Sequence, residues 1–102
     1  MKPTRSLALV AAAILGASAL DWEGRVYGYS LSRRSGVRSG LLYPKLCRMV
    51  SEGWLQDHWE TPVESWGRPS RRYYTVTDEG RVQLGDVVRR YVHGLGGEVT
   101  QR

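Results

Sequence analysis

Between Gly24 and Arg48 the chain carries Arg25, Arg33, Arg34, Arg38, Lys45 and Arg48 and not one acid. From Gly67 to Thr77 it carries Arg68, Arg71 and Arg72, again without an acid. The stretch separating the two blocks, Met49 to Trp66, is the reverse: Glu52, Asp57, Glu60 and Glu64 with no Lys or Arg. Guanidinium groups match phosphate oxygens bidentately and also read the O6/N7 edge of guanine. Ser39 and Tyr43, inside the first block, add hydroxyls that can reach phosphate. The chemistry these residues suit is non-covalent recognition of a polyanion.

Composition agrees and excludes several other chemistries. Fifteen Lys and Arg against ten Asp and Glu give a formal net charge of +5. Such a balance favours an anionic partner, although charge alone does not separate nucleic acid from an acidic membrane surface. Cys47 is the only cysteine, so no disulfide can form within the chain, and it reads as a small buried apolar residue. His58 and His93 lie far apart in sequence, which argues against a structural zinc site. No glycine-rich phosphate loop and no Ser/His/Asp spacing is present. The pattern points to no enzyme, no metal and no cofactor.

The elements that must position these cations follow from periodicity. A first helix is expected from Pro3 or Thr4 to Leu20, apolar nearly all round and therefore central. Asp21 to Val26 forms a polar connection. A short second helix begins near Tyr27 or Gly28, packs through Tyr29 and Leu31, points Arg33 and Arg34 outward, and stops at Gly36. Val37 to Gly40 is a tight turn. A third helix covers Leu41 to Glu52, with Leu42, Leu46, Met49 and Val50 on one stripe and Pro44 in the first turn. Trp54–Glu60 and Arg71–Val76 have strand character, and Thr61–Ser70, with Pro62, Gly67 and Pro69, reads as a long mobile hairpin tip. Trp54, Trp59, Tyr73 and Tyr74 are expected to clamp the hairpin to the third helix. Trp66, at the tip, has no evident core role and is expected to be exposed or to touch DNA; Trp22 and Tyr91 read as packing residues, with a dimer interface or effector pocket as the alternative. Thr77 caps a last helix running to about His93, closed by Gly94, Gly96 and Gly97, with a frayed tail beyond.

The order is mainly α with a small β-hairpin wing: a winged helix-turn-helix (α-α-α-β-β-α). In that architecture the third helix enters the major groove and the wing reaches an adjacent groove or backbone. Both basic blocks coincide with these two elements. The expected DNA-facing set is Arg33, Arg34, Arg38, Ser39, Leu41, Tyr43, Pro44, Lys45 and Arg48, with Arg68, Arg71 and Arg72 on the wing. One domain is expected over residues 1–102, with about 4–77 forming the winged helix and about 78–95 a C-terminal dimerisation helix.

Several segments also resemble a known family. Gly28-Tyr29-Ser30-Leu31, Ser39-Gly40-Leu41-Leu42-Tyr43-Pro44-Lys45-Leu46, Glu52-Gly53-Trp54-Leu55, Arg68-Pro69, Arg71-Arg72-Tyr73-Tyr74-Thr75-Val76-Thr77 and Glu79-Gly80 are similar, in order and spacing, to the PadR-type (phenolic-acid regulator) transcription factors. The resemblance runs from about Leu7 to Val88. It implies a cytoplasmic, nucleoid-associated repressor whose first and last helices build a homodimer on a palindromic operator of double-stranded DNA. The interface expected on that basis comprises Leu7, Val10, Ile14, Leu84, Val87, Val88, Tyr91 and Leu95. It carries Ser39, Tyr43, Pro44 and Lys45 over as recognition-helix contacts and Arg68, Arg71 and Arg72 as the wing. Leu41 stands where Thr is common in the family, and the C-terminal region is the single helix of its short members. Which small-molecule effector binds, if any, is not legible.

Two other readings stay open at this point. Lys2 and Arg5 precede the apolar run Leu7–Leu15, and Ala17-Ser18-Ala19 resembles a signal-peptidase site, as in an exported basic protein. The run is too short to span a bilayer. Alternatively the winged helix serves as a protein-interaction module, since fold does not dictate function.

Overall fold

Thr4 starts the first helix in the computed structural model, which describes residues 2–100 and the side chains of residues 2–95. Its hydroxyl accepts from the Leu7 amide at 3.2 Å, and helix α1 runs Arg5–Leu20. Leu7, Val10, Ala11, Ile14 and Ala17 recur at spacings of three and four and are buried. Helix α1 packs against α2 (Gly28–Ser35) and α5 (Asp78–Thr100), so it is a central element of the core. Helix α3 (Ser39–Ser51) adds Leu42, Leu46 and Met49, each fully buried, and α2 adds Leu31. Burying a side chain of this size contributes roughly 1.5–3 kcal/mol.

The sheet has three strands in the order β1-β3-β2, all antiparallel. β2 (Leu55–Trp59) and β3 (Arg72–Val76) form the hairpin, in register from Leu55 opposite Val76 to Trp59 opposite Arg72. β1 (Val26–Tyr27) pairs with the other edge of β3, Val26 opposite Tyr74 and Tyr27 opposite Tyr73. Its Val26 ends what the sequence reads as a polar connection, and its Tyr27 stands where the second helix is expected to begin. It escapes because two residues have no period and their partner is distant in sequence.

Other boundaries shift for identifiable reasons. Helix α3 begins at Ser39 rather than Leu41, which moves Pro44 out of the first turn. Its ring takes up an exposed position, away from the buried stripe. The hairpin tip holds an element that the sequence reads as loop: Thr61 caps a one-turn helix α4 (Pro62–Ser65), its hydroxyl accepting from the Glu64 amide at 3.2 Å while Glu64 accepts from the Thr61 amide at 2.8 Å. The last helix continues through Gly94, Gly96 and Gly97 to Thr100; Gln101 and Arg102, part of the tail expected to fray, lie outside the described residues.

Among the eight expected interface residues, Leu7, Val10, Ile14, Leu84 and Val87 are already covered within one chain, at the α1–α5 contact. They have no surface to give a partner. Val88 and Tyr91 are half-buried and Leu95 is exposed. Cys47, read as buried, is exposed on α3. Trp54 and Tyr74 join the core as expected, whereas Trp59 is exposed and Tyr73 half-buried. Trp22 is fully in solvent.

Candidate nucleic-acid interface

The turn between α2 and α3 is held rigidly by short side chains. Gly36 ends α2 in the left-handed region, at φ 73°. The Ser35 hydroxyl donates to the Leu31 carbonyl at 2.6 Å and accepts from the Val37 amide at 3.1 Å. Ser32 donates to the Val37 carbonyl at 3.0 Å, and Val37 itself is buried. These bonds fix where α3 starts and how it is rotated. With Leu42, Leu46 and Met49 turned inward, the opposite arc presents Tyr43 and Cys47 at one edge, Pro44 and Arg48 in the middle, and Leu41 and Lys45 at the other edge.

The far end of α3 is tied to the wing. Gly53, at φ 80°, lets the Gly53 and Trp54 amides turn back to Val50 and Met49 carbonyls at 3.0 and 2.9 Å. The Thr77 hydroxyl donates to the Gly53 carbonyl at 2.6 Å and accepts from the Gly80 amide at 2.9 Å. One residue therefore caps α5 and fastens the base of the hairpin to α3.

At the Tyr43 edge the wing and the helices meet. Gly28, Tyr29, Tyr43, Arg71, Arg72 and Tyr74 line a cleft of about 260 Å³. The Arg71 guanidinium sits over the Tyr29 ring, 5.2 Å from its centroid. Tyr29, which the sequence reading packs inward, is half exposed under that cation. It shares the outward face of α2 with Arg33, four residues on, and that spacing was the available signal. Arg33 and Arg34 line a neighbouring cleft with Arg25, Tyr27 and Tyr29.

Not all the cations expected to face DNA are free. Arg68 binds Glu60 through both terminal nitrogens, at 2.7 and 3.1 Å. Glu60 is buried, and it also accepts from the Tyr27 hydroxyl and the Arg71 amide, each at 3.0 Å. Arg68, with the Arg71 and Tyr27 bonds assisting against burial, pulls its pKa from 4.5 down to about 2. Arg68 is thereby committed to holding the wing together. Arg72 is bridged to Asp57 at 3.1 Å and lies over the Trp59 ring, and Arg48 is bridged to Glu52 at 3.3 Å. Arg25 pairs with Glu23 at 3.0 Å and with Glu64, and its guanidinium covers Tyr73. The Glu64 contact holds α4 against the β1 side of the molecule and lowers the Glu64 pKa. Among the described residues, Arg33, Arg34, Arg38, Lys45 and Arg71 have no carboxylate in ion-pair range. Tyr27 and Tyr74 are raised above the ordinary phenol pKa, in both cases chiefly by burial, so both remain neutral donors.

No helix of the described residues is long and apolar enough to cross a membrane, and no three His, Cys, Asp or Glu among them gather as a metal site.

An exposed third helix fixed by a tight turn, with a cationic β-hairpin along one edge, defines the winged-helix class. The chain belongs to the transcriptional regulator PadR-like family, whose profile matches residues 19–86. Among solved structures it is similar to a PadR family transcriptional regulator from Eggerthella lenta, 30% identical over 89% of this chain and 80% of that one, with a TM-score of 0.62. A Streptococcus mutans protein shares the fold at 20% identity, covering 98% of this chain and 92% of its own, TM-score 0.69. So does a PadR family transcription regulator from Clostridium difficile, 18% identical over 95% and 99% of the two chains, TM-score 0.66. Among curated proteins no match is found.

Proposed function

We propose that this chain is a sequence-specific repressor that binds a palindromic operator as a homodimer in the cytoplasm. The observation that carries the reading is the cleft in which Tyr43 of α3 meets Arg71, just before β3, and Arg72, the first residue of β3. A helix laid in the major groove along its exposed arc would bring the tip end of the wing strands, where Arg71 and Arg72 follow the loop, against the flanking backbone. Ser39, Leu41, Pro44 and Lys45 then face base edges, and Arg48 reaches them when Glu52 releases it. Tyr43, Arg33, Arg34, Arg38 and Arg71 supply phosphate contacts. Arg72 adds a weaker one, since Asp57 competes for it.

In this reading residues of about 4–77 meet DNA and α5 pairs two chains. Val88, Tyr91, Val92 and Leu95 repeat at three- and four-residue spacing and retain exposed surface. An α5 of 23 residues is about 34 Å long, against about 24 Å for the 16-residue α1, so its last turns outrun the helix it packs on. Two-fold pairing of these ends makes a dimer, and a dimer reads an inverted repeat.

Selection of bound duplexes from a random pool tests the whole proposal. The expected product is an inverted repeat with half-sites about one helical turn apart, centre to centre. Sedimentation should give a dimer at micromolar concentration, and Tyr91→Asp with Leu95→Asp should give a monomer. Recovery of no sequence above the starting pool would remove the regulator, and an unpaired half-site from a monomer would remove the dimer alone.

A further inference from the structure

At the other edge of α3, away from the wing, a second cationic groove opens where the starts of α1 and α3 come together. Its volume is about 650 Å³, and its lining includes Arg5, Ser6 and Leu9 from α1, Arg38 and Leu41 from the start of α3, and no acidic residue. Arg5 and Arg38 are exposed, and neither has a carboxylate in ion-pair range among the described residues. Arg38 occupies the cap position of α3, and its side chain makes no capping hydrogen bond there. Leu41 is half exposed on the groove's rim and also belongs to the arc assigned above to base edges.

We propose that this groove seats a phosphodiester of the DNA backbone, clasped between Arg5 and Arg38. The inference rests on the DNA-binding reading and extends it to α1. Charge complementarity selects the occupant: two unopposed guanidiniums and the hydroxyl of Ser6 surround a space open to solvent, with no carboxylate to repel an anion. The position selects the source of the phosphate. A duplex lying along the exposed arc of α3 has one strand beside Tyr43 and Arg71, and the opposite wall of the major groove falls beside Leu41, where Arg5 and Arg38 stand. The wing and the α1 start thus grip the two walls of one groove, and α3 lies between them. Arg5 is a positioning residue in this scheme, fixing how far α3 rotates about its axis in the groove.

The test is the salt dependence of binding to a mixed-sequence DNA duplex, measured for the full chain and for Arg5→Gln, Arg5→Lys and Arg71→Ala. Arg5→Gln should reduce the slope of log K against log salt by about one per bound protomer, and Arg5→Lys should retain it. Because Arg5 is exposed, thermal melts of these variants should overlay the parent chain. A slope unchanged by Arg5→Gln but reduced by Arg71→Ala overturns the groove and leaves DNA binding intact. If the parent chain shows no salt-dependent binding at all, the DNA reading itself falls, and the groove with it.

Discussion

Arg68 clasps the buried carboxylate of Glu60 with two nitrogens, 2.7 Å from Oε1 and 3.1 Å from Oε2, while its neighbour Arg71 has only its backbone amide on the same carboxylate and leaves its guanidinium over Tyr29. Two arginines three residues apart therefore do different work. Arg68→Ala leaves Glu60 without its main partner and should lower the melting temperature, with little change in the salt slope of DNA binding by the protein that remains folded. Arg71→Ala should do the opposite, lowering the slope by about one per protomer with the melt nearly unchanged. Paired melting and DNA titrations at several salt concentrations check both. Equal effects of the two substitutions on the slope would contradict the division.

The same carboxylate makes stability depend on acid. Glu60 ionises near 2 in the folded chain against an ordinary 4.5, because it accepts charge-assisted hydrogen bonds from Arg68 together with the Arg71 amide and Tyr27. A depressed carboxylate pKa contributes stability that is complete above about 4.5 and is lost progressively as pH falls toward about 2. Glu60→Gln should melt lower than the parent at neutral pH, and the two curves should converge across that acid window. Glu64 is also lowered, by its contact with Arg25, so the difference between parent and variant is the quantity to follow. Parallel curves down to pH 2 would show that Glu60 does not carry the effect.

These pairings explain what the sequence could and could not disclose. Helices α2 and α3 were legible from their apolar positions and glycine stops, α1 from its unbroken apolar run, and the hairpin from its aromatic and β-branched strands. The cap of α4 was also present, as Thr61-Pro62-Val63-Glu64, but Pro and Gly nearby made the segment read as loop. The division into basic and acidic blocks held along the chain and failed in space. Antiparallel pairing sets Asp57 opposite Tyr74, diagonal to Arg72, so an acid from the middle block neutralises a wing cation. No local pattern announces a partner fifteen residues away. The groove at Arg5 was hidden for the same reason, since α1 meets the start of α3 only through the packing of the whole bundle.

Gly80 marks a place where the fold admits no side chain. A Cβ there would lie 1.8 Å from the Trp54 carbonyl oxygen and 2.6 Å from its carbon, both backbone atoms. Trp54 is held in place, because the Thr77 amide donates to its carbonyl at 3.1 Å and the Thr77 hydroxyl donates to the adjoining Gly53 carbonyl at 2.6 Å. Gly80→Ala should therefore push α5 off the hairpin base and cost about 3 kcal/mol or more, at the upper end of overpacking effects. Chemical denaturation measures it. By contrast Gly85, with no atom within 4 Å of an added Cβ, should accept Ala with no loss.

Gly28 offers a subtler test, because what opposes it is a functional side chain. A Cβ on Gly28 would lie 2.5 Å from the Tyr43 hydroxyl oxygen, 2.8 Å from Cε1 and 3.0 Å from Cζ. The Tyr43 ring is partly exposed, so it can swing outward, and Gly28→Ala should cost only about 1 kcal/mol. The ring that moves is the one bordering Arg71 and Arg72 in the cleft beside α3. DNA affinity should then fall more than stability does, with the salt slope held because no cation is removed. The double-mutant cycle separates the causes. In a Tyr43→Ala background the three atoms nearest the added methyl are gone, so the stability cost of Gly28→Ala should largely vanish and its effect on DNA binding should vanish with it. A penalty that persists without the ring would mean that Gly28 serves the backbone at the start of α2, and Tyr43 would lose its place as the residue this glycine makes room for.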